Sequence, residues 1–438
     1  MPGTDRAGAP ESGRPRSGPA AARGGLSRCI GIASGEFADS YWGADALLTP
    51  ARELEQDFSD LFSADAVDQL ISRHGLRTPF LRMAKDGSVI GSANYTRSGG
   101  VGAAIADQVA DDKVLAQLAG GATLVLHALH RTWPPLIDFG SSLAAELGHP
   151  VQINAYITPP QNQGFAAHYD THDVFVLQVA GSKRWTIHRP VLDDPLPDQT
   201  WDLRKRQVAA RAAEKPVIDT VLQPGDALYL PRGFLHSAVA QGEVSIHVTV
   251  GVHALTAYDL ARELIAAAVS DRELRRSLPM GIDVADVDAL AGHVKAAAAR
   301  LTAAVDGADA EHIAAVVSRV RRRQAAETRP APLRPLAQLE VLRTVDGATA
   351  LRLRPGARPI YRSGADRTVV DVLDTSISWP AQVSTALRHA LSGSVFRPDD
   401  LPGLDPDEQL VMARRLLREG LVVAAVDRDA PSGSVSGE

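Results

Sequence analysis

The stretch Gly164-Phe-Ala-Ala-His168-Tyr-Asp170-Thr-His172-Asp-Val-Phe-Val-Leu-Gln178 decides how this chain reads. In an extended strand, residues two apart share a face and lie roughly 6.8 Å apart along the chain, so His168 and Asp170 can converge on one ion. A third ligand has to come from elsewhere. His236, in Leu230-Pro-Arg-Gly-Phe-Leu-His236, follows a turn-and-strand unit, Gln223-Pro-Gly-Asp-Ala-Leu-Tyr-Leu230, and antiparallel strands can bring it opposite the first pair. His172, at i+4 from His168, is a rival on the same face, and His247 or His253 can stand in for His236. Two histidines and a carboxylate on one face of an octahedron, with the other positions open, is the arrangement of non-haem Fe(II) oxygenases.

Around that stretch the texture is β-type. Residues 151–157, 174–180, 184–188, 227–230 and 244–252 are short runs of β-branched and aromatic residues separated by turn residues, a spacing that predicts a sandwich or barrel. Upstream, residues 29–151 are mixed and irregular, with a helix predicted over 64–74, where Ala66, Val67, Leu70 and Ile71 recur at helical spacing. Downstream, Ala-rich patterns predict helices over 258–270, 284–305 and 310–325, the last capped by Asp309. Thr328-Arg-Pro-Ala-Pro-Leu-Arg-Pro335 cannot continue a helix and reads as a semi-rigid linker. Beyond it, strands are predicted at 338–344, 348–353 and 421–426, and helices at 381–392 and 407–419.

A length of 438 residues predicts about three domains. Hydrophobic residues at 45% and charged residues at 22% exclude a wholly disordered or fibrous chain, and a net charge of −6 excludes a globally basic nucleic-acid binder. Cys29 is the single cysteine, so an intrachain disulfide is excluded and a reducing, cytoplasmic setting is expected. No apolar run reaches the length of a membrane helix, and the Gly-, Pro- and Arg-rich residues 1–25 predict a disordered tail.

With these motifs in place, the chain resembles the cupin-like JmjC oxygenases, and within them the ribosomal oxygenases, which hydroxylate ribosomal proteins. The matching residues are Asn154-Ala-Tyr-Ile-Thr-Pro-Pro160, Gly164-Phe165, His168-Tyr-Asp170, Asp173-Val-Phe175, Gln178, Gly181-Ser-Lys-Arg-Trp185, Pro224-Gly-Asp226, Leu228-Tyr-Leu-Pro231, His236 and Ser245-Ile-His-Val-Thr249. More loosely, Tyr41-Trp42 sits where the family has an aromatic pair.

The resemblance implies a mainly β catalytic core, a double-stranded β-helix of jelly-roll or cupin type, over residues 26–255. It further implies a helical dimerisation segment over 256–327 and, after a linker at 328–337, an α+β winged-helix-like module over 338–430. Fe(II) would be held by His168, Asp170 and His236. The cosubstrate 2-oxoglutarate would place its keto-acid end on the iron and its far carboxylate on Lys183, fifteen residues after His168. Asn154 matches a family active-site asparagine, although a strand-capping role fits it as well, and Trp185 reads as barrel core.

The expected function is hydroxylation of a protein side chain, most naturally in a ribosomal protein, by a homodimer without a membrane partner. The competing readings are an oxygenase acting on a peptide natural product or small molecule, and a non-catalytic binding barrel. Direct DNA binding is not expected of the C-terminal module, because residues 366–429 carry seven basic against eleven acidic side chains, a net −4. The charged insert 191–214 departs from the family pattern and has no role legible in the sequence.

Overall fold

The β-branched runs pair into one nine-stranded antiparallel sheet in a computed structural model that describes residues 24–425, apart from 86, 103, 308–309 and 373–374. Most of the expected tail, the Asp309 cap and the end of the last expected strand lie outside the described residues. The strands that build the site are β1 (Leu47–Thr49), β2 (Leu81–Lys85), β3 (Thr123–Leu126), β4 (Val151–Thr158), β5 (Asp173–His188), β6 (Ile218–Leu222), β7 (Ala227–Leu230) and β8 (Leu235–Val252). They run in the order β1-β7-β5-β8-β4-β3-β2, with β6 pairing β5 to one side of this path.

Two expectations are corrected here. Residues 174–180 and 184–188 are not separate strands but halves of β5, and residues 244–252 are only the second half of β8, whose first half carries His236. The two long strands pair throughout, Leu235 opposite His188 at one end and Val252 opposite Asp173 at the other, with a register shift between Gln241 and Ile246. At that shift the sheet bends. Gly181 takes φ +58°, and a Cβ there would lie 2.2 Å from Val244 O, so only glycine fits. Gln178 braces the bend, its Nε2 donating to Ala180 O, Gly181 O and Ser245 Oγ at 2.9 Å each.

The bend separates two sheet surfaces. The near half of β5 pairs with β7, the far half pairs with β6, and the far half of β8 pairs with β4. Alternation then divides the side chains: Ile153, Ala155, Ile157, Phe175, Leu177, Val248 and Val250 enter the main core, while Gln152, Asn154, Tyr156, Val174, Val176, His247 and Thr249 face an internal cavity. Helices from the N-terminal region cover the main core. α1 (Ala64–Arg73) buries Ala66, Val67, Leu70 and Ile71 as its periodicity predicts, with Ser63 Oγ accepting from Ala66 N as the N-cap. α2 (Pro134–Leu147), begun by a proline, packs Leu136, Phe139 and Leu143 in the same core; it falls in the region that reads as irregular in sequence.

After the insert, which contains α3 (Lys205–Ala212), and the end of β8 come α4 (Ala257–Ala267), α5 (Val287–Asp306) and α6 (Ala310–Glu327), close to the expected helices. Arg323 on α6 reaches Asp259 on α4 at 3.0 Å. A second hydrophobic core lies beyond residue 340, including Leu351, Val370, Trp379, Leu387, Phe396, Met412 and Leu416. Here the predicted strand 338–344 is wrong: it lies in α7 (Pro335–Thr344), whose first turn takes up the end of the expected linker with Pro335 at the N-terminus. α8 (Ser384–Ala390) and α9 (Pro406–Arg418) match the expected helices, Leu351–Leu353 pairs with Val422–Ala424, and a three-stranded sheet (Ile360–Ser363, Arg367–Val372, Thr375–Pro380) was not legible beforehand. Among the described residues, no helix is long and apolar enough to cross a membrane.

Candidate metal centre

His168 and Asp170 lie just before β5, and His236 is the second residue of β8. Backbone pairing brings them together: His168 N donates to His236 O at 3.2 Å, and His236 N donates to His168 O at 2.8 Å. One possible ligand atom from each of His168, Asp170 and His236 lies within 4.8 Å of the other two, and they form the one such group among the described residues. The imidazole centroids of the two histidines are 4.4 Å apart, and His236 Nε2 is 3.7 Å from Asp170 Oδ2.

The histidines are held in the tautomer that a metal needs. His168 Nδ1 donates to Ala166 O at 2.7 Å and His236 Nδ1 to Phe234 O at 3.1 Å, which leaves each Nε2 with its lone pair free. Burial, followed by the neighbouring His168, pushes the His236 imidazole down to about 4, so it is neutral. Burial works to raise the Asp170 carboxyl, but its attraction to the His236, His172 and His168 rings in their protonated form outweighs this and leaves Asp170 below the usual carboxylate range. A neutral imidazole and an ionised carboxylate are the forms that bind a divalent cation. The donor set and its orientation therefore fit one.

The rival histidines lie outside this cluster, although His172 and His247 line the cavity it faces. His172 sits near His253, ring centroids 5.2 Å apart, and its Nε2 is 3.2 Å from Gln152 Nε2. His247 stacks on Tyr156 at 5.0 Å and meets Trp185 edge-on at 5.3 Å.

All three candidate ligands line a cavity of about 570 Å³ that also holds Lys183, Asn154, Tyr156, Trp185 and His247. Lys183 is 4% exposed, not a solvated hairpin residue. Its Nζ donates to Thr158 Oγ1 at 3.0 Å, and no carboxylate lies within ion-pair distance among the described residues. Burial pushes its ammonium down to about 7. A buried cation without an anion is costly, so this pocket is suited to a ligand that brings a carboxylate. Asn154 faces the cavity while Oδ1 accepts from Ala128 N at 3.2 Å, so it combines a cavity position with a backbone-bracing role. Trp185 is core and cavity wall at once: it is buried, packs with Ile187 and Leu222, and leaves Nε1 without a partner.

Trp201 on the cavity wall and Thr158 behind it were given no role by the sequence. Trp201 lies in the insert, its ring 6.2 Å from that of His168, and a lone aromatic in a charged segment was the available signal. Thr158, within the quoted Asn154–Pro160 motif, is the partner of Lys183.

Comparison with known proteins bears out the resemblance. Residues 139–260 match the JmjC domain family. The chain is 37% identical over 139 residues to the bifunctional lysine-specific demethylase and histidyl-hydroxylase NO66 of Drosophila persimilis, a match covering 30% of this chain and 19% of that protein. It is 37% identical over 153 residues to ribosomal oxygenase 1 of Rattus norvegicus, covering 33% of this chain and 25% of that one. The chain thus spans only a fifth to a quarter of the length of these curated relatives. Over its larger part it shares its fold with YcfD, a ribosomal oxygenase from Escherichia coli solved with cobalt and 2-oxoglutarate: the TM-score is 0.51 at 16% identity, covering 90% of this chain and 99% of that one. Another E. coli YcfD structure gives a TM-score of 0.52 at 18% identity, covering 90% and 98%.

Proposed function

We propose that this protein is an Fe(II)/2-oxoglutarate-dependent oxygenase that hydroxylates a protein side chain, the substrate being a ribosomal protein. The observation that carries the reading is the pairing of two features in one cavity: a His-Asp-His cluster with both Nε2 atoms free, and a buried, carboxylate-free Lys183. When bound, iron would supply the dioxygen-dependent oxidative decarboxylation of 2-oxoglutarate to succinate and carbon dioxide, one oxygen atom entering succinate and the other a substrate C–H bond.

The protein's own contribution is placement. His168, Asp170 and His236 would hold one face of the ion, leaving the cavity side for cosubstrate and substrate. Lys183 and the Thr158 hydroxyl would receive the far carboxylate of 2-oxoglutarate, replacing a poorly solvated ammonium with an ion pair. Tyr156, Trp185, Phe165 and Trp201 would wall the chamber and keep bulk water from the reacting atoms.

Residues 26–255 constitute the catalytic domain in this reading, residues 256–327 a dimerisation segment, and the module that begins with α7 a winged-helix-like unit serving protein contact rather than DNA. A cytoplasmic setting suits such a substrate. The dimer rests on α5, a 20-residue helix without a single buried side chain. Its Val287 and Val294 are 78% and 64% exposed, a stripe that a second copy of the helix would cover.

The test is iron-dependent succinate formation by the purified protein, joined to intact-mass comparison of ribosomal proteins from cells with and without the gene. The expected result is one additional oxygen on one ribosomal protein in cells that carry it; equal masses throughout would reject the substrate class.

A further inference from the structure

The insert 191–214 leaves the end of β5 and returns at β6, and the proposed reaction assigns it nothing. Its position is nevertheless specific. Val208 of α3 forms a small buried cluster with Tyr169 and Leu235, exposed by only 3%, 1% and 0%, and Val191 and Trp201 pack against it. Tyr169 lies between His168 and Asp170 in the chain, and Leu235 immediately precedes His236. Side chains alternate along an extended backbone, so ligands on one side leave Tyr169 and Leu235 on the other. One cluster thus grips the reverse side of both ligand-bearing segments.

Polar contacts repeat the pattern. Tyr169 Oη donates to Gln199 O in the insert at 2.7 Å. Arg232 Nη2 meets Asp194 Oδ1 of the insert at 2.9 Å, while its backbone N donates to Asp173 Oδ1. Gly233, at φ +91°, donates from N to Asp170 O at 3.0 Å, and a Cβ there would fall 2.7 Å from Leu192 O. The insert and the 232–235 turn are therefore in direct contact.

We propose that the insert is a clasp for the metal centre: by packing Val208 on Tyr169 and Leu235 it sets the separation of the two ligand segments, making Tyr169 and Val208 positioning residues for the ion. The inference rests on the reading of His168, Asp170 and His236 as ligands. Its physical basis is that a metal site binds tightly only when its donors are held at the correct separation before the ion arrives, and outer supports typically change metal affinity about 10- to 100-fold.

The experiment titrates Co(II) into the full-length apoprotein and follows visible absorption. Val208→Ala is expected to weaken Co(II) binding about tenfold and to alter the ligand-field bands, Val208→Ile to restore both, and Tyr169→Phe, which keeps the ring and loses the Gln199 bond, to show a smaller loss. Unchanged affinity and spectrum in Val208→Ala, with only a lower thermal midpoint, would overturn the clasp and leave plain packing. Should Val208→Ala fail to fold, Tyr169→Phe decides: wild-type affinity and bands reject the clasp, a weakened and altered site supports it. Wild-type protein that takes up no Co(II), or a His236→Ala variant that binds it equally well, would overturn the metal centre itself and the clasp with it.

Discussion

His168, Asp170 and His236 have equivalent claims on the ion, since each offers an atom within 4.8 Å of the others. His168→Ala, Asp170→Ala and His236→Ala are each expected to abolish iron-dependent succinate formation, and any pair of them to do no worse than one, because the three act as a unit. His172→Ala should retain turnover, since that ring sits with Gln152 and His253. Normal succinate yield from His236→Ala would instead promote His247 or His253. Lys183 makes a separate, quantitative case. Losing a charge-assisted hydrogen bond worth roughly 1.5 to 3 kcal/mol raises the apparent Kd for 2-oxoglutarate about ten- to hundredfold in Lys183→Ala. The sign of the pH dependence follows from burial, which lowers the free ammonium to about 7. Below that pH the lysine is charged before and after binding, so affinity is flat. Above it the free lysine is neutral while the complex needs the cation, so affinity falls by about tenfold per pH unit until the raised pKa of the complex is reached. Calorimetric titration between pH 6.5 and 9 checks this, and Lys183→Arg, always charged, should flatten the profile.

At the scale of elements, the bend shared by β5 and β8 turns one long pairing into a chamber. Lys183 and Trp185 reach the cavity from odd positions, whereas Val174 and Val176 reach it from even ones, so the alternation changes phase across Gly181. Gly181→Ala forces a Cβ against Val244 O in a backbone region unfavourable to alanine, and is expected to cost about 2 kcal/mol or more. A lower urea midpoint with an unchanged transition slope is the expected observation, together with weakened 2-oxoglutarate binding because Lys183 is only two residues away. The same bend explains why the sequence predicts two strands where the structure has one: Gly181-Ser-Lys resembles a turn between strands, but pairing of Ser182 with Gln241 carries the ladder through it.

For the whole molecule, α5 poses the main energetic question. An amphipathic helix gains most of its stability from packing an apolar face, and this one has no buried residue in a single copy of the chain. Light scattering at micromolar concentration is expected to give about twice 46.4 kDa. The double variant Val287→Asp with Val294→Asp should give a monomer, or insoluble protein, while keeping the Co(II) site when it remains soluble. A monomeric mass for the unaltered chain would reject the dimer without touching the candidate metal centre, whose residues lie just before β5 and on β8.

Local pattern was enough for the helix over residues 64–74, the β character of residues 151–252 and the nearness of His168 to Asp170, whereas the role expected of Lys183 came from the family resemblance. The first three rest on spacing within a strand or helix turn, the last on a motif run whose residue types are constrained by chemistry. Which histidine stands beside His168 and Asp170 is decided only by tertiary pairing: the bridge between His168 and His236 spans 68 positions, and no local signal measures that distance. The same holds for Trp201, which strand-like or helix-like periodicity cannot point toward a cavity built by other elements. Residues 338–344 failed for a related reason. Leu339, Val341 and Leu342 suit a strand or a helix equally, and what settled the helix is Pro335 at its start and Gln338 Nε2 donating to Leu417 O and Val422 O across the fold. Short apolar runs carry two structures in solution, and burial against distant partners selects one.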